Sequence, residues 1–108
     1  MFHNLPVALV AALMPLAFVA APSRASAGGG ELYKAKCASC HGEDGSGNTA
    51  VGRSLRLRAL GSPEVQKQSD AELTSVTAKG KGRMPGYEAK LSQEQLQKLV
   101  RFIRGLKK

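Results

Sequence analysis

The most regular pattern in the chain lies at its C-terminal end, where apolar residues recur at steps of three and four. They are Leu96, Leu99, Val100, Ile103 and Leu106. Lysines and arginines lie between them, so one face of a helix would be apolar and the others cationic. Ser92 and Gln95 stand just ahead at the spacing of a capping box. The segment therefore predicts an amphipathic helix that starts after Ser92 and ends near Lys107.

Weaker patterns predict three more short helices. Residues 31–41 follow three glycines and place Leu32, Ala35 or Lys36, and Cys40 at helical spacing as candidate buried or inward-facing positions. Ser62 stands before a proline at a first helical position. Ser69 stands three residues before a glutamate, as in a capping box.

Glycines and prolines separate these helices. Residues 42–48 contain three glycines, and residues 78–90 contain Gly80, Gly82 and Pro85, so both segments predict loops. We expect the second loop to be held by something other than its own backbone pairing. No segment after residue 27 alternates like a strand. The sequence therefore predicts an all-α fold of about four short helices with long loops.

The first quarter of the chain has the pattern of an export signal. An apolar run over residues 5–22 is followed by Ala25-Ser26-Ala27, which matches a signal-peptidase site. We predict that residues 1–27 are a secretory signal peptide cleaved after Ala27. Residues 28–108 would then form one small domain in the periplasm or otherwise outside the cytoplasm. Because residues 1–4 contain no lysine or arginine, an uncleaved membrane anchor is the alternative.

The charge of the chain is strongly positive. Sixteen lysines and arginines face eight acidic residues, a formal net charge of +8, and cleavage of the leader would remove only Arg24. Such a balance predicts partners with acidic surfaces and a salt-dependent association rate. Nucleic acid is disfavoured as a partner, because the chain has no known nucleic-acid signature, few aromatic residues and an export signal.

Both cysteines lie in CASCH, residues 37–41, directly before a histidine. A disulfide between Cys37 and Cys40 is one interpretation, since export permits it. A thioredoxin-like pair would need a βαβ context, and a zinc site would need a fourth ligand, which residues 28–108 lack among cysteine and histidine. Covalent haem attachment is favoured. Two thiols three positions apart at a helix end reach two vinyl groups of a porphyrin, and His41 is then directed at the iron.

An iron held by one histidine needs a sixth ligand or keeps an open face. Met84 is the only methionine in residues 28–108, and that range holds no second histidine. Its thioether would fill the sixth position and favour the reduced iron. The alternative is that Met84 only fills a gap in the core. The iron would then be open, or ligated by Lys79, Lys81 or Lys90.

Four stretches together resemble the class I monohaem cytochromes c of the short bacterial type, over essentially all of residues 28–108. They are GGGELYKAKCASCHG, SPEVQKQSDAEL, GKGRMPGY and LSQEQLQKLVRFIRGL. The resemblance implies the cytochrome c fold, with short helices wrapped around one covalently bound haem c. It also implies that the N- and C-terminal helices cross where Gly29 approaches Phe102. Four residues are assigned to the haem and its iron: Cys37 and Cys40 for attachment, His41 as the proximal ligand and Met84 as the distal ligand.

The chain departs from the family pattern at two points. Many relatives have a Gly-Pro pair where this chain has Gly52 and Arg53, and the carbonyl there accepts the ring N–H of the proximal histidine. That acceptor is therefore unassigned here. The chain also lacks tryptophan, which leaves four candidates to contact the haem propionates: Arg53, Arg56, Arg58 and Tyr87.

Filled axial positions suit electron transfer and block substrate binding. We therefore predict a soluble, monomeric one-electron carrier that is not an enzyme and has no small-molecule substrate. Its partners would be redox proteins with acidic docking surfaces, approached through Lys79, Lys81 and Arg83. Two alternatives stay open. One is a ligand-binding haem sensor or weak peroxidase with a labile Met84. The other is a dedicated cytochrome subunit of an oxidase or dehydrogenase, with the leader retained as an anchor.

Overall fold

The computed structural model describes residues 3–4, 6, 8–15 and 28–108. Six helices follow one another from residue 29: α1 (Gly29–Lys36), α2 (Ala38–His41), α3 (Ala50–Ser54), α4 (Pro63–Gln66), α5 (Asp70–Lys79) and α6 (Gln93–Gly105). The described part of the chain contains no strand, and the all-α prediction is confirmed for it. The predicted cleavage site after Ala27 lies outside the described residues. No helix among those residues is long and apolar enough to span a membrane.

The predicted helix starts are confirmed by their hydrogen bonds. The side chain of Ser62 caps α4. Ser69 opens α5 and Ser92 opens α6, each with a complete capping box. In a capping box the serine side chain accepts a hydrogen bond from the backbone N–H of the third helical residue. The side chain of that third residue accepts one in return from the backbone N–H of the serine. The local sequence therefore fixes where these three helices begin.

The N- and C-terminal helices cross at a point where only glycine fits. A Cβ atom at Gly29 would overlap the carbonyl oxygen of Lys98 and lie 3.1 Å from Cβ of Phe102. One helix turn further on, the rings of Tyr33 and Phe102 lie with their centroids 4.7 Å apart. Leu99, with none of its side chain exposed, lies in the same core. The implied close approach of Gly29 to Phe102 is thus confirmed.

Two local expectations were wrong. The helix predicted over residues 31–41 is broken at Cys37, whose φ of −120° leaves the helical region, so the motif starts a separate turn, α2. On α1 the buried partner of Leu32 is Tyr33, whereas Ala35 is exposed. Tyr33 is buried because α1 crosses α6 there. This is a tertiary contact, which the spacing of apolar residues within α1 does not predict.

Candidate functional site

Two cavities meet at the CASCH motif and together form a crevice. The front cavity has a volume of about 270 Å³, and its lining includes Cys37, Cys40, His41, Met84 and Tyr87. The rear cavity has a volume of about 190 Å³. Cys37, His41, Lys81 and Met84 line both. The four residues that the sequence assigns to one site are therefore brought together around one crevice.

The break between α1 and α2 presents the motif to the crevice. Cys37 is buried at the break, while Cys40 and His41 are half-buried on α2, and no disulfide joins the two cysteines. Burial, reinforced by the neighbouring Cys40, raises the pKa of Cys37 to about 11. A buried, protonated thiol is the opposite of the low-pKa thiolate on which a thioredoxin-like pair depends. No group of three or more potential metal-binding His, Cys, Asp or Glu side chains occurs in the described residues.

His41 is held as a neutral imidazole. Burial lowers the pKa of His41, which favours the neutral form that ligates metals. Its buried Nδ1 has no hydrogen-bond partner within the described part of the chain. The carbonyls at the position of the family's acceptor pair with other groups: Gly52 accepts from the N–H of Leu57, and Arg53 accepts from that of Arg56. Buried polar atoms without a protein partner are rare, and the acceptor for the ring N–H of His41 stays unassigned in this structure.

Met84 is presented by a short hairpin that follows α5. The N–H of Lys81 donates to the carbonyl of Met84 over 3.1 Å, and the N–H of Met84 donates back over 2.9 Å. Gly82 allows this tight pairing because its φ is +58°, a value that other residues adopt at a cost. The expectation that this loop lacks its own backbone pairing was therefore wrong. A two-residue hairpin is too short to show as a strand pattern in the sequence.

The wall of the rear cavity is apolar. It is built by side chains from the segments that include α4, α5 and α6: Leu60, Val65, Leu73, Val76, Leu99 and Ile103. Such a wall excludes water from one side of the crevice, while the thiols, the imidazole and the thioether face it from the others. Apolar walls with few convergent polar groups are typical of cofactor sites. The donor set and the walls together fit a covalently bound haem.

The candidates for propionate contacts separate into two pairs. Arg58 lines the rear cavity and Tyr87 lines the front cavity. Arg53 and Arg56 line neither, and Arg53 instead donates to the side chain of Asn48 over 2.6 Å. Gln68 also lines the rear cavity. Sequence reasoning missed Gln68, because no motif singles it out.

The proposed docking cations lie in two different places on the surface. Lys81 and Arg83 line the front cavity, as does Lys36, which was a candidate inward-facing residue but not a candidate docking cation. Lys79 lies elsewhere, in a larger groove of about 580 Å³ between α5 and α6. That groove is lined by charged, small polar and aliphatic side chains and contains no thiol, imidazole or thioether. Its size therefore does not make it the functional site.

Comparison with known proteins decides the family. A family model described as cytochrome c oxidase, cbb3-type, subunit III matches residues 24–103. The chain belongs to this family of cytochrome c domains. It is also 32% identical over 78 residues to the cytochrome c6 of Leptolyngbya boryana, covering 72% of this chain and 88% of that protein. A solved structure, the KustC0563 c-type cytochrome, is 34% identical with a TM-score of 0.70, covering 76% of this chain and all of the other.

Two further relatives are much longer than this cytochrome. One is the cbb3-type cytochrome c oxidase subunit CcoP of Cereibacter sphaeroides, 31% identical over 81 residues, which cover 75% of this chain and 27% of that protein. The other is the cytochrome c subunit of the quinone-type alcohol dehydrogenase of Gluconacetobacter polyoxogenes, 34% identical over 97 residues, which cover 80% of this chain and 20% of that protein. The relatives thus include cytochrome subunits of an oxidase and of a dehydrogenase.

These relationships confirm the predicted fold, cofactor class and function. Cytochromes c of this family bind covalently attached haem c with its iron, and they transfer electrons. The electron carriers and electron-transfer subunits among these relatives do not favour a ligand-binding sensor or a weak peroxidase.

Proposed function

We propose that this cytochrome is a soluble, exported one-electron carrier whose haem c is attached through Cys37 and Cys40 and ligated by His41 and Met84. The proposal is carried by one observation: the crevice between α1, α2, the hairpin and the apolar wall brings these four side chains together. The sequence motifs predict these four residues as the haem-binding set, and the fold brings their side chains to one crevice.

Each side chain has a separate task. The thiols of Cys37 and Cys40 hold the group at the break between α1 and α2. His41 supplies a neutral imidazole on one side, and Met84 supplies a soft, neutral thioether on the other. Bound there, the haem supplies reversible one-electron chemistry, with a potential that a Met/His ligand pair raises. The apolar wall keeps water from the crevice. If His41 and Met84 both ligate the iron, it would have no open position for a substrate, and we propose that the protein is not an enzyme.

The charge around the crevice supports redox partners with acidic docking surfaces. The front cavity is lined by Lys36, Lys81 and Arg83, and the rear cavity by Arg58. No carboxylate lines either cavity. Acidic residues line other surfaces, such as Asp70 and Glu88 in the α5–α6 groove. A partner that carries acidic groups around its own redox centre would therefore be drawn to the face where the crevice opens.

The proposed location and state follow from the leader and from the charge. Export rests on residues 1–27, and N-terminal sequencing of protein recovered from outside the cytoplasm should begin at Gly28. A sequence that begins at the leader would contradict cleavage and favour an anchored protein. The net charge, +8 for the whole chain and one unit less without Arg24, disfavours self-association, so we propose a monomer, which sedimentation of the purified cytochrome tests directly.

The ligand set is tested by a visible spectrum of the oxidised protein. A weak far-red band reports the bond between sulfur and iron. We expect it in the wild type and expect Met84→Ala to lose it. The matched control is Lys81→Ala. Lys81 pairs with Met84 in the hairpin and also lines both cavities, but this variant should keep the band. A band that persists in Met84→Ala, or that is absent from the wild type, would contradict Met84 as the ligand.

A further inference from the structure

Two tyrosine hydroxyl groups bracket the CASCH motif. The hydroxyl of Tyr33 donates to the carbonyl of Gly42 over 2.6 Å, directly after the motif. The hydroxyl of Tyr87 donates to the carbonyl of Lys36 over 2.9 Å, directly before it. Tyr33 belongs to α1, whereas Tyr87 stands three residues after Met84. The second bond therefore joins the two sides of the crevice.

The carbonyl of Lys36 needs an outside donor because α1 ends there. In a continuous helix it would accept from the N–H of Cys40, four residues on. The chain leaves the helical region at Cys37, and the N–H of Cys40 donates to the carbonyl of Cys37 instead, over 3.2 Å. Terminal helix carbonyls need a partner outside the helix. Within the described part of the chain, the donor to Lys36 is the hydroxyl of Tyr87.

Tyr87 is itself fixed at its other contacts. Its N–H donates to the carbonyl of Thr77 on α5 over 3.0 Å, and its carbonyl accepts from the N–H of Leu91 over 2.8 Å. Its ring packs against the core that contains Tyr33 and Leu99. A displacement of the Tyr87 side chain would therefore also shift the backbone between Tyr87 and Met84.

The connection between Tyr87 and Met84 is short and tightly packed. Only Pro85 and Gly86 lie between them. Proline restricts the backbone at its position. A Cβ at Gly86 would lie 2.6 Å from the carbonyl oxygen of Ala78, so this part of the segment lies directly against the end of α5. The backbone between Tyr87 and Met84 therefore has little conformational freedom.

We propose that Tyr87 is a positioning residue, whose hydroxyl ties the Met84 hairpin to the haem-attachment segment and so controls how readily Met84 gives up the sixth position of the iron. This rests on the proposed role of Met84 as the distal ligand. The hydroxyl touches neither the thioether nor the iron, and it acts through the backbone. Removal of one neutral hydrogen bond of this kind is expected to change an equilibrium by about fivefold.

The test compares Tyr87→Phe with Tyr33→Phe in the haem-loaded protein. Each variant keeps its aromatic ring and deletes one hydroxyl that bonds to a carbonyl next to CASCH. The readouts are the affinity of the oxidised protein for added imidazole, which competes with Met84, and the far-red band. We expect Tyr87→Phe to bind imidazole about fivefold more tightly than the wild type and to lose the band at lower imidazole. Tyr33→Phe should bind as the wild type does.

Global unfolding separates positioning from mere loss of stability. Both variants should unfold at lower denaturant, because each loses a hydrogen bond to a helix end. Equal imidazole affinities in the two variants, or an unchanged affinity in Tyr87→Phe, would overturn the role of Tyr87 while leaving the ligand set intact. A wild type without the far-red band would instead overturn the ligand set, and the role of Tyr87 with it.

Discussion

The two sides of the crevice are built in different ways. On the attachment side, Tyr33 and Cys37 are buried, and α1 crosses α6 so closely that Gly29 has no room for a side chain. On the distal side, Lys81, Gly82 and Arg83 are exposed, and the hairpin is held mainly by backbone hydrogen bonds and the hydroxyl of Tyr87. A region with few buried apolar contacts opens at lower free energy than the core. The attachment side should therefore unfold only with the whole domain, whereas the distal side should open alone.

The largest effect is expected at the crossing of α1 and α6. Gly29→Ala would force a Cβ against the carbonyl of Lys98, and we expect the free energy of unfolding to fall by about 1 to 3 kcal/mol. The far-red band should be unchanged while the protein is folded. The matched control is Gly30→Ala on the same helix, where the nearest atom to a Cβ, on Phe102, is 3.5 Å away. Denaturant unfolding of the two variants checks this. Equal stability would show that the crossing is not tight.

A second prediction concerns the charge at the mouth of the crevice. Reversal of either Lys81 or Arg83 alone to glutamate should slow electron transfer to an acidic partner about tenfold at low salt. The difference should shrink as added salt screens the exposed charges. Lys79→Glu is the control, because Lys79 lines the α5–α6 groove instead of the crevice. Stopped-flow measurement of the electron-transfer rate at low and at high salt checks this prediction. A slowing that is equal for Lys79→Glu would point to net charge alone.

The smallest effect is expected within the hairpin. Gly82→Ala introduces a side chain where φ is +58°, at a cost of about 1 kcal/mol, although a Cβ there would meet no other atom. Because the hairpin opens locally, we expect weaker retention of Met84 against added imidazole and little change in global unfolding. Gly105→Ala, near the end of α6, is the control and should leave imidazole affinity unchanged. A loss of global stability without a change in imidazole affinity would contradict separate opening.

Much of the fold could be predicted because its signals are local. The capping serines and the apolar spacing of α6 lie within a few residues of the helices that they specify, and they predicted the starts at Ser69 and Ser92 correctly. The CASCH motif and Met84, the only methionine in residues 28–108, likewise predict the haem-binding residues from their chemistry alone, and that assignment stays a prediction. The structure then places these residues around one crevice.

The features that were missed depend on contacts distant in the sequence. Helix α3 follows a polar, glycine-rich stretch and is capped by Thr49, whose hydroxyl also donates to the carbonyl of Cys40 over 2.7 Å. The break at Cys37 is compensated by Tyr87, fifty residues further along the chain. Arg104 joins α6 to the C-terminal end of α4 in the same way, through its bond to the carbonyl of Gln66. No local pattern predicts such pairs.

Covalent attachment at the motif is the claim on which the rest depends, and the mass of the denatured protein tests it most directly. Protein from cells competent in haem attachment should carry the added mass of one haem that survives unfolding, and the Cys37→Ala, Cys40→Ala double variant should lack it. A wild type that is colourless, with the mass of the polypeptide alone and with free thiols or a disulfide at Cys37 and Cys40, would contradict the account.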